Sequence, residues 1–303
     1  MTASSLGIAR RTITPAELAG LLRSEPDSPV LAGLRQDLID CFRTGPRALL
    51  LSGIDPRGIG EADFAAALLK LGGWLGVPSI QSPQGELVAR VEHDPADLQA
   101  RGTHSDSELQ AHTDLHDILA LACVHPAELG GESFLVAAGE LHDCLLERHR
   151  ECLAALRTGY YFGINPVLQS DHPVSEAPVP VLFDAGERKL VCWNGYFMRM
   201  AALHRNEQLP SALVQALIYL RELAAELAER CRFTLAPGDI LFWHNWSWLH
   251  GRTAFEDGSA NRRRLLRLWL RSDLIDRPPI LAERGARIDA DHRLTQQLGY
   301  RAP

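Results

Sequence analysis

Arg262-Arg263-Arg264-Leu265-Leu266-Arg267-Leu268-Trp269-Leu270 reads as a β-strand, apolar but for its arginines. A period of two puts Arg263, Leu265, Arg267 and Trp269 on one face. Arg264, Leu266, Leu268 and Leu270 share the other. Two guanidinium groups on the inner face of so apolar a strand are costly unless anions meet them. A guanidinium grips a carboxylate through two parallel hydrogen bonds. The strand is therefore expected to present a carboxylate-binding site. A solvated basic edge is the plain alternative for Arg262 to Arg264, but Arg267 has leucine on both sides and resists it.

Just upstream lies Trp248-Leu249-His250-Gly251-Arg252-Thr253-Ala254-Phe255. Ser247 to His250 is strand-like, and Trp246 and Trp248 alternate with His250, which predicts a partly aromatic pocket wall with Trp248 facing substrate. Much earlier, His112-Thr113-Asp114 falls in the strand-like run Leu109 to Val124. Residues i and i+2 of a strand share a face, so an imidazole and a carboxylate meet on one side. Such a triplet alone is weak evidence. With His250 it completes two histidines and one carboxylate, the facial set that leaves positions open on iron(II). Zinc accepts the same donors with water in fourth place, so a zinc hydrolase is a rival reading. A non-catalytic binding protein would have no use for an intact triad.

The rest of the chain supplies the frame. Thr14 caps a short helix opened by Pro15, and Leu31 to Arg43 and Glu61 to Leu75 read as helices. Ala48 to Leu51, Leu87 to Glu92, Ser133 to Ala137, Tyr160 to Ile164, Val179 to Phe183, Lys189 to Trp193 and Ile240 to Trp243 read as strands. Glu140 to Arg157 is one amphipathic helix, and Ser211 caps another that runs through Arg230. Pro78 to Asp106 is polar and turn-rich, a strand plus a long loop of the kind that forms lids; His104 in it is a substrate-pocket candidate.

With 303 residues, 46% of them hydrophobic, the chain can bury a sizeable core as one domain. A net charge of -7 argues against nucleic acid or an anionic membrane as partner. No apolar run reaches the roughly 20 residues of a membrane helix. No secretory signal is evident, and the six scattered cysteines read as reduced thiols, so a cytoplasmic protein is expected.

Taken in order, His112-Thr113-Asp114, Gly130-Gly131-Glu132-Ser133, Pro237-Gly238-Asp239, His250-Gly251-Arg252-Thr253-Ala254-Phe255 and the pair Arg263 and Arg267 resemble the taurine dioxygenase / clavaminate synthase-like family of Fe(II)- and 2-oxoglutarate-dependent oxygenases. The match covers roughly residues 105–271. It implies a mainly β fold with flanking helices: a double-stranded β-helix (jelly-roll, cupin-like) core with a large insertion between the metal-binding strands. The expected division is a helix/strand lead-in and lid loop over 1–105, the core over 106–271 and a C-terminal tail over 272–303.

The resemblance also implies roles. His112, Asp114 and His250 would hold Fe(II). Ser133 and Arg263 would bind 2-oxoglutarate, with Arg262 and Arg264 leaving that arginine uncertain by one residue. Arg267 would face an anionic substrate group, and Glu108 would hold an amine. The reaction implied is O2-dependent hydroxylation of an unactivated C–H bond in a small acidic or amino-acid-like substrate. Desaturation, ring closure and C–X cleavage follow from the same oxidising chemistry. Related halogenases replace the carboxylate ligand with a small residue, so Asp114 argues against halogenation. A carrier-protein-tethered substrate and a homo-oligomer stay open. One departure stands out: the family often shows Asp-Asn-Arg where this chain has His244-Asn245-Trp246.

Overall fold

Two sheets face each other, and residue alternation assigns each strand's faces. The computed structural model describes residues 7–23, 28–82, 84–94, 105–163, 170, 172–258, 262–275 and 277–297. In chain order the strands are β1 (Ala9–Thr12), β2 (Ala48–Ser52), β3 (Val77–Pro78), β4 (Val88–Val91), β5 (Leu109–His112), β6 (Ile118–His125), β7 (Leu129–Gly130), β8 (Ser133–Ala137), β9 (Leu182–Ala185), β10 (Arg188–Val191), β11 (Arg232–Phe233), β12 (Ile240–His244), β13 (Trp248–Arg252), β14 (Phe255–Glu256) and β15 (Arg264–Arg271). The helices are α1 (Pro15–Leu22), α2 (Ala32–Arg43), α3 (Pro56–Ile59), α4 (Glu61–Gly73), α5 (Ala138–Arg148), α6 (Leu153–Thr158), α7 (Gly195–Arg205), α8 (Ser211–Glu229) and α9 (Pro279–Gln297).

The larger sheet runs β1-β2-β12-β6-β15, with β3 and β4 pairing along the far side of β15. Only its β1–β2 pair is parallel. Its central strands are apolar at nearly every position because both faces are covered. Ile240, Phe242, Ala120, Leu266 and Leu268 join the core that includes Leu38 and Phe42 of α2 and Phe64 and Leu68 of α4. Leu241, Trp243, Leu119 and Leu265 belong to a second cluster with Leu135 and Phe233 of the smaller sheet. That smaller sheet is wholly antiparallel, in the order β11-β8-β13-β5. The insertion between β8 and β11 carries α5 to α8 and the β9–β10 hairpin. This is the jelly-roll arrangement with helices packed outside. No helix among the described residues is long and apolar enough to cross a membrane.

Local signals hold at several points. Thr14 forms a reciprocal capping box with Glu17 at the start of α1. Elsewhere the structure departs from the sequence reading. Residues 160–163 make isolated bridges rather than a strand, because the Ser175 hydroxyl accepts the Phe162 N–H and the Phe197 carbonyl accepts that of Gly163. Ile164 lies outside the described residues, as does His104 with most of its loop. Ser211 begins α8 but makes no side-chain cap. The predicted single helix after Glu140 breaks at His149, whose φ and ψ of -144° and 47° are not helical.

The expected C-terminal tail is instead helix α9. Its buried residues are largely polar and paired. Arg284 donates to the Gly163 carbonyl at 2.6 Å, His292 Nδ1 donates to the Ile80 carbonyl at 2.8 Å, and Asp289 lies 2.5 Å from Arg271 Nε. A helix that docks through polar pairs shows little apolar periodicity, which hid it in the sequence.

Candidate metal centre and cavity

His112 ends β5 and His250 sits mid-strand in β13, and the two are register partners. Cross-strand partners project on the same face, and their ring centroids are 4.3 Å apart. His112 Nδ1 lies 2.8 Å from the Gln110 carbonyl. A carbonyl only accepts, so Nδ1 donates here and Nε2 is the nitrogen turned toward Asp114. Burial and the neighbouring His112 push His250 down to about 3, so its ring is neutral.

Asp114 completes the group. His112 Nε2 is 3.7 Å from its Oδ1, and His250 Nε2 is 3.9 Å from its Oδ2. One potential ligand atom from each residue lies within 4.8 Å of the others. Burial would raise the Asp114 carboxyl, but His250, His112 and Arg267 outweigh it and hold it below the usual carboxylate range. Two imidazole nitrogens and an ionised carboxylate suit a divalent cation such as iron(II).

Asp114, expected on the strand, lies beyond it, because β5 stops at His112. The carboxylate is instead positioned from across the fold by Asn245. The Asp114 N–H donates to Asn245 Oδ1 at 3.0 Å, and Asn245 Nδ2 donates to the Asp114 and His116 carbonyls at 2.9 and 2.8 Å. Asn245 is fully buried. Its partners lie 129–131 residues away, so no local pattern in the sequence reports this role.

The triad borders a cavity of about 840 Å³ between the two sheets. Ser133, Glu108, Arg263 and Arg267 line it as well. Trp248 does not. Its indole N–H donates to the Pro46 carbonyl at 3.1 Å, and its ring joins the apolar cluster between the sheets. Trp246 is also buried, donating to Asp117 Oδ1 at 3.2 Å. The aromatic wall comes instead from Trp193, Trp243 and Trp269.

Arg263 is buried, and its Nη1 has no hydrogen-bond partner among the described residues. Burial draws its pKa below the ordinary guanidinium value. The glycine pair beside it has a steric reason. Gly130 and Gly131 have φ of 68° and 67°, and a Cβ on Gly131 would lie 3.2 Å from Phe255 Cβ and 3.3 Å from Arg263 Nε. Arg267 is held by Gln81, whose Oε1 accepts its Nε–H at 2.7 Å and whose Nε2 donates to its carbonyl at 2.7 Å. The Arg267 guanidinium lies over the Trp269 ring, 4.2 Å from the centroid. Exposed Arg199 of α7 and Arg221 of α8 complete the cavity rim with Glu108. They were missed because helix-surface arginines ordinarily read as solvated.

Comparison with known proteins agrees with this architecture. The FR-33289 synthase of Streptomyces rubellomurinus (strain ATCC 31215) is 28% identical over 235 residues, which span 73% of this chain and 68% of that one. An asparagine oxygenase solved with Fe(II), 2S,3S-3-hydroxyasparagine and succinate superposes with a TM-score of 0.68 at 22% identity, covering 86% of this chain and 93% of that one. The non-heme iron oxygenase OrfP, solved with Fe and alpha-ketoglutaric acid, superposes with a TM-score of 0.64 at 18% identity, covering 87% and 94%. The family model described as "Taurine catabolism dioxygenase TauD, TfdA family" matches residues 24–269. The chain therefore belongs to the TauD/TfdA family of 2-oxoglutarate-dependent dioxygenases.

Proposed function

We propose that His112, Asp114 and His250 hold iron(II), that Arg263 and Ser133 bind 2-oxoglutarate, and that the enzyme hydroxylates an unactivated C–H bond of a small anionic or zwitterionic substrate. The observation that carries this is the convergence of three metal-donor atoms on a cavity that also contains an unpartnered, buried Arg263 nitrogen. A distal carboxylate on Arg263 would satisfy that nitrogen through a charge-assisted bond.

When bound, iron and 2-oxoglutarate supply dioxygen activation, with succinate and carbon dioxide as co-products. The chain's own residues do the rest. Two imidazoles and a single carboxylate would leave three coordination positions for co-substrate and oxygen. Ser133 offers a hydroxyl to the co-substrate from the smaller sheet, and Arg263 lines the same cavity from the larger one. Val91, Leu119, Leu121 and Leu265 line the cavity with apolar surface and exclude water. Arg267, pinned by Gln81, presents its terminal nitrogens to an acid. Glu108 at the rim suits an amine, which favours an amino-acid-like substrate. The asparagine oxygenase and OrfP, with hydroxyasparagine and L-Arg in their structures, are consistent with that class.

An anaerobic iron(II) titration with and without 2-oxoglutarate tests the reading. A visible charge-transfer band that needs both components is the expected result. Absence of the band, with tight zinc binding instead, would overturn it in favour of hydrolysis.

A further inference from the structure

Trp269 lies on the cavity face of β15, two residues beyond Arg267. Its Nε1–H donates to Asp114 Oδ2 at 3.0 Å. An indole has one donor and no acceptor, so this bond is its whole polar commitment. The ring is gripped by two further groups. The His116 imidazole stacks on it with centroids 4.8 Å apart and planes 17° from parallel, and the Arg267 guanidinium lies 4.2 Å from its centroid. His116 is braced in turn by Asp289 of α9, 3.4 Å away.

Asp114 stands past the end of its strand. Asn245 fixes its main chain, but the last torsion of an aspartate is soft and leaves the carboxylate plane to be set by its contacts. Oδ2, engaged by the indole, lies 3.9 Å from His250 Nε2, and Oδ1, without a hydrogen-bond donor among the described residues, is left facing His112 Nε2 at 3.7 Å. We propose that Trp269 is a positioning residue: its N–H orients the Asp114 carboxylate as a one-oxygen metal ligand aimed at the His112–His250 pair. A carboxylate that swung to grip the cation with both oxygens would consume a position needed by co-substrate or oxygen. The inference rests on the proposed His112–Asp114–His250 site.

The test is anaerobic iron(II) titration of Trp269→Phe with 2-oxoglutarate, followed by the visible charge-transfer band, beside manganese(II) titration read by electron paramagnetic resonance. Phenylalanine keeps an aromatic ring against His116 and Arg267 and removes the donor. The expected result is metal affinity about ten- to a hundredfold weaker, the range for losing a group that orients a ligand, with a displaced band, in a metal-free protein that still folds and unfolds cooperatively. Trp74→Phe, remote from the cavity, is expected to bind metal as the wild type does. If Trp269→Phe binds metal within about twofold of wild type and its band is unmoved, the proposal is overturned, since merely structural packing would give that pattern. If that variant does not fold, 3-benzothienylalanine at position 269 replaces N–H with sulfur at nearly constant shape, and the same two outcomes decide. A wild type with no 2-oxoglutarate-dependent band, equalled by His112→Ala in metal affinity, would instead bring down the metal site itself.

Discussion

Arg263 and Arg264 are neighbours in the chain and turn to opposite sides of the larger sheet. Arg263 enters the cavity, whereas Arg264 lies 2.8 Å from Glu92 and 3.2 Å from Glu61 on the far side. The two variants should therefore separate cleanly. Arg263→Ala is expected to raise the KM for 2-oxoglutarate by about 10- to 100-fold, the loss of a charge-assisted hydrogen bond of roughly 1.5–3 kcal/mol. Arg264→Ala should leave that KM nearly unchanged and cost at most about 1 kcal/mol of stability, as partly exposed ion pairs do. Succinate release at varied 2-oxoglutarate measures both. Equal effects would contradict the assignment of Arg263.

Asp114→Ala should abolish ordinary turnover while the protein still folds, because the carboxylate sits past a strand end rather than within the ladder. Chelation of the wild type should do the same, and iron(II), not zinc, should restore activity. Full hydroxylation by Asp114→Ala would remove the residue from the metal site.

Gln81 holds Arg267 at both ends, through its Nε–H and its carbonyl. Gln81→Leu leaves a buried guanidinium N–H without that partner, at a cost of about 1–3 kcal/mol. It should also loosen selection for acidic substrates, in the direction of Arg267→Ala but less far. A substrate panel scored by succinate release reads this. Unchanged acid selectivity in Arg267→Ala would remove the anchor.

Gly131→Ala meets a positive φ and Cβ contacts of 3.2–3.3 Å with Ala127, Phe255 and Arg263. Chemical denaturation should show a loss of about 1–3 kcal/mol, and the KM for 2-oxoglutarate should rise because Arg263 must give way. Gly139→Ala, in α5 with nothing within 4 Å of the added Cβ, should be neutral or stabilising by up to about 1 kcal/mol. A tolerated Gly131→Ala would count against the packing account of the Gly-Gly turn.

Burial pushes the Cys41 thiol up to about 11 and the Cys123 thiol up to about 12. Thiolate is the reactive form, so both should resist alkylation in the native protein near neutral pH. Half-buried Cys144 and Cys231 should react first. Peptide mapping after brief iodoacetamide treatment checks the order.

Much of this site was legible because strand alternation is a short-range rule. Arg263, Leu265, Arg267 and Trp269 share a face by spacing alone, and the cavity wall follows the same spacing. What alternation cannot supply is position along the strand. Trp248 shares a face with His250, yet its indole closes onto Pro46 away from the cavity. Nor does any local pattern report an amide acting at long range. Asn245 bonds the backbone of Asp114 131 residues away, and Gln81 reaches Arg267 across 186. Helix α9 was illegible for a related reason, since its buried partners are polar groups from distant segments.

The strand order also carries a consequence for how the protein is made. β2 lies beside β12, and β6 lies between β12 and β15, so the central ladder joins segments from opposite ends of the chain. Loop-closure entropy must be met before these pairings return anything, which makes such a sheet a slow folder. During synthesis β2, β5 and β6 emerge long before β12, β13 and β15 can cover them. His112 and Asp114 must therefore wait for His250, and a nascent chain has no complete set of donors until the second half of the sandwich has closed.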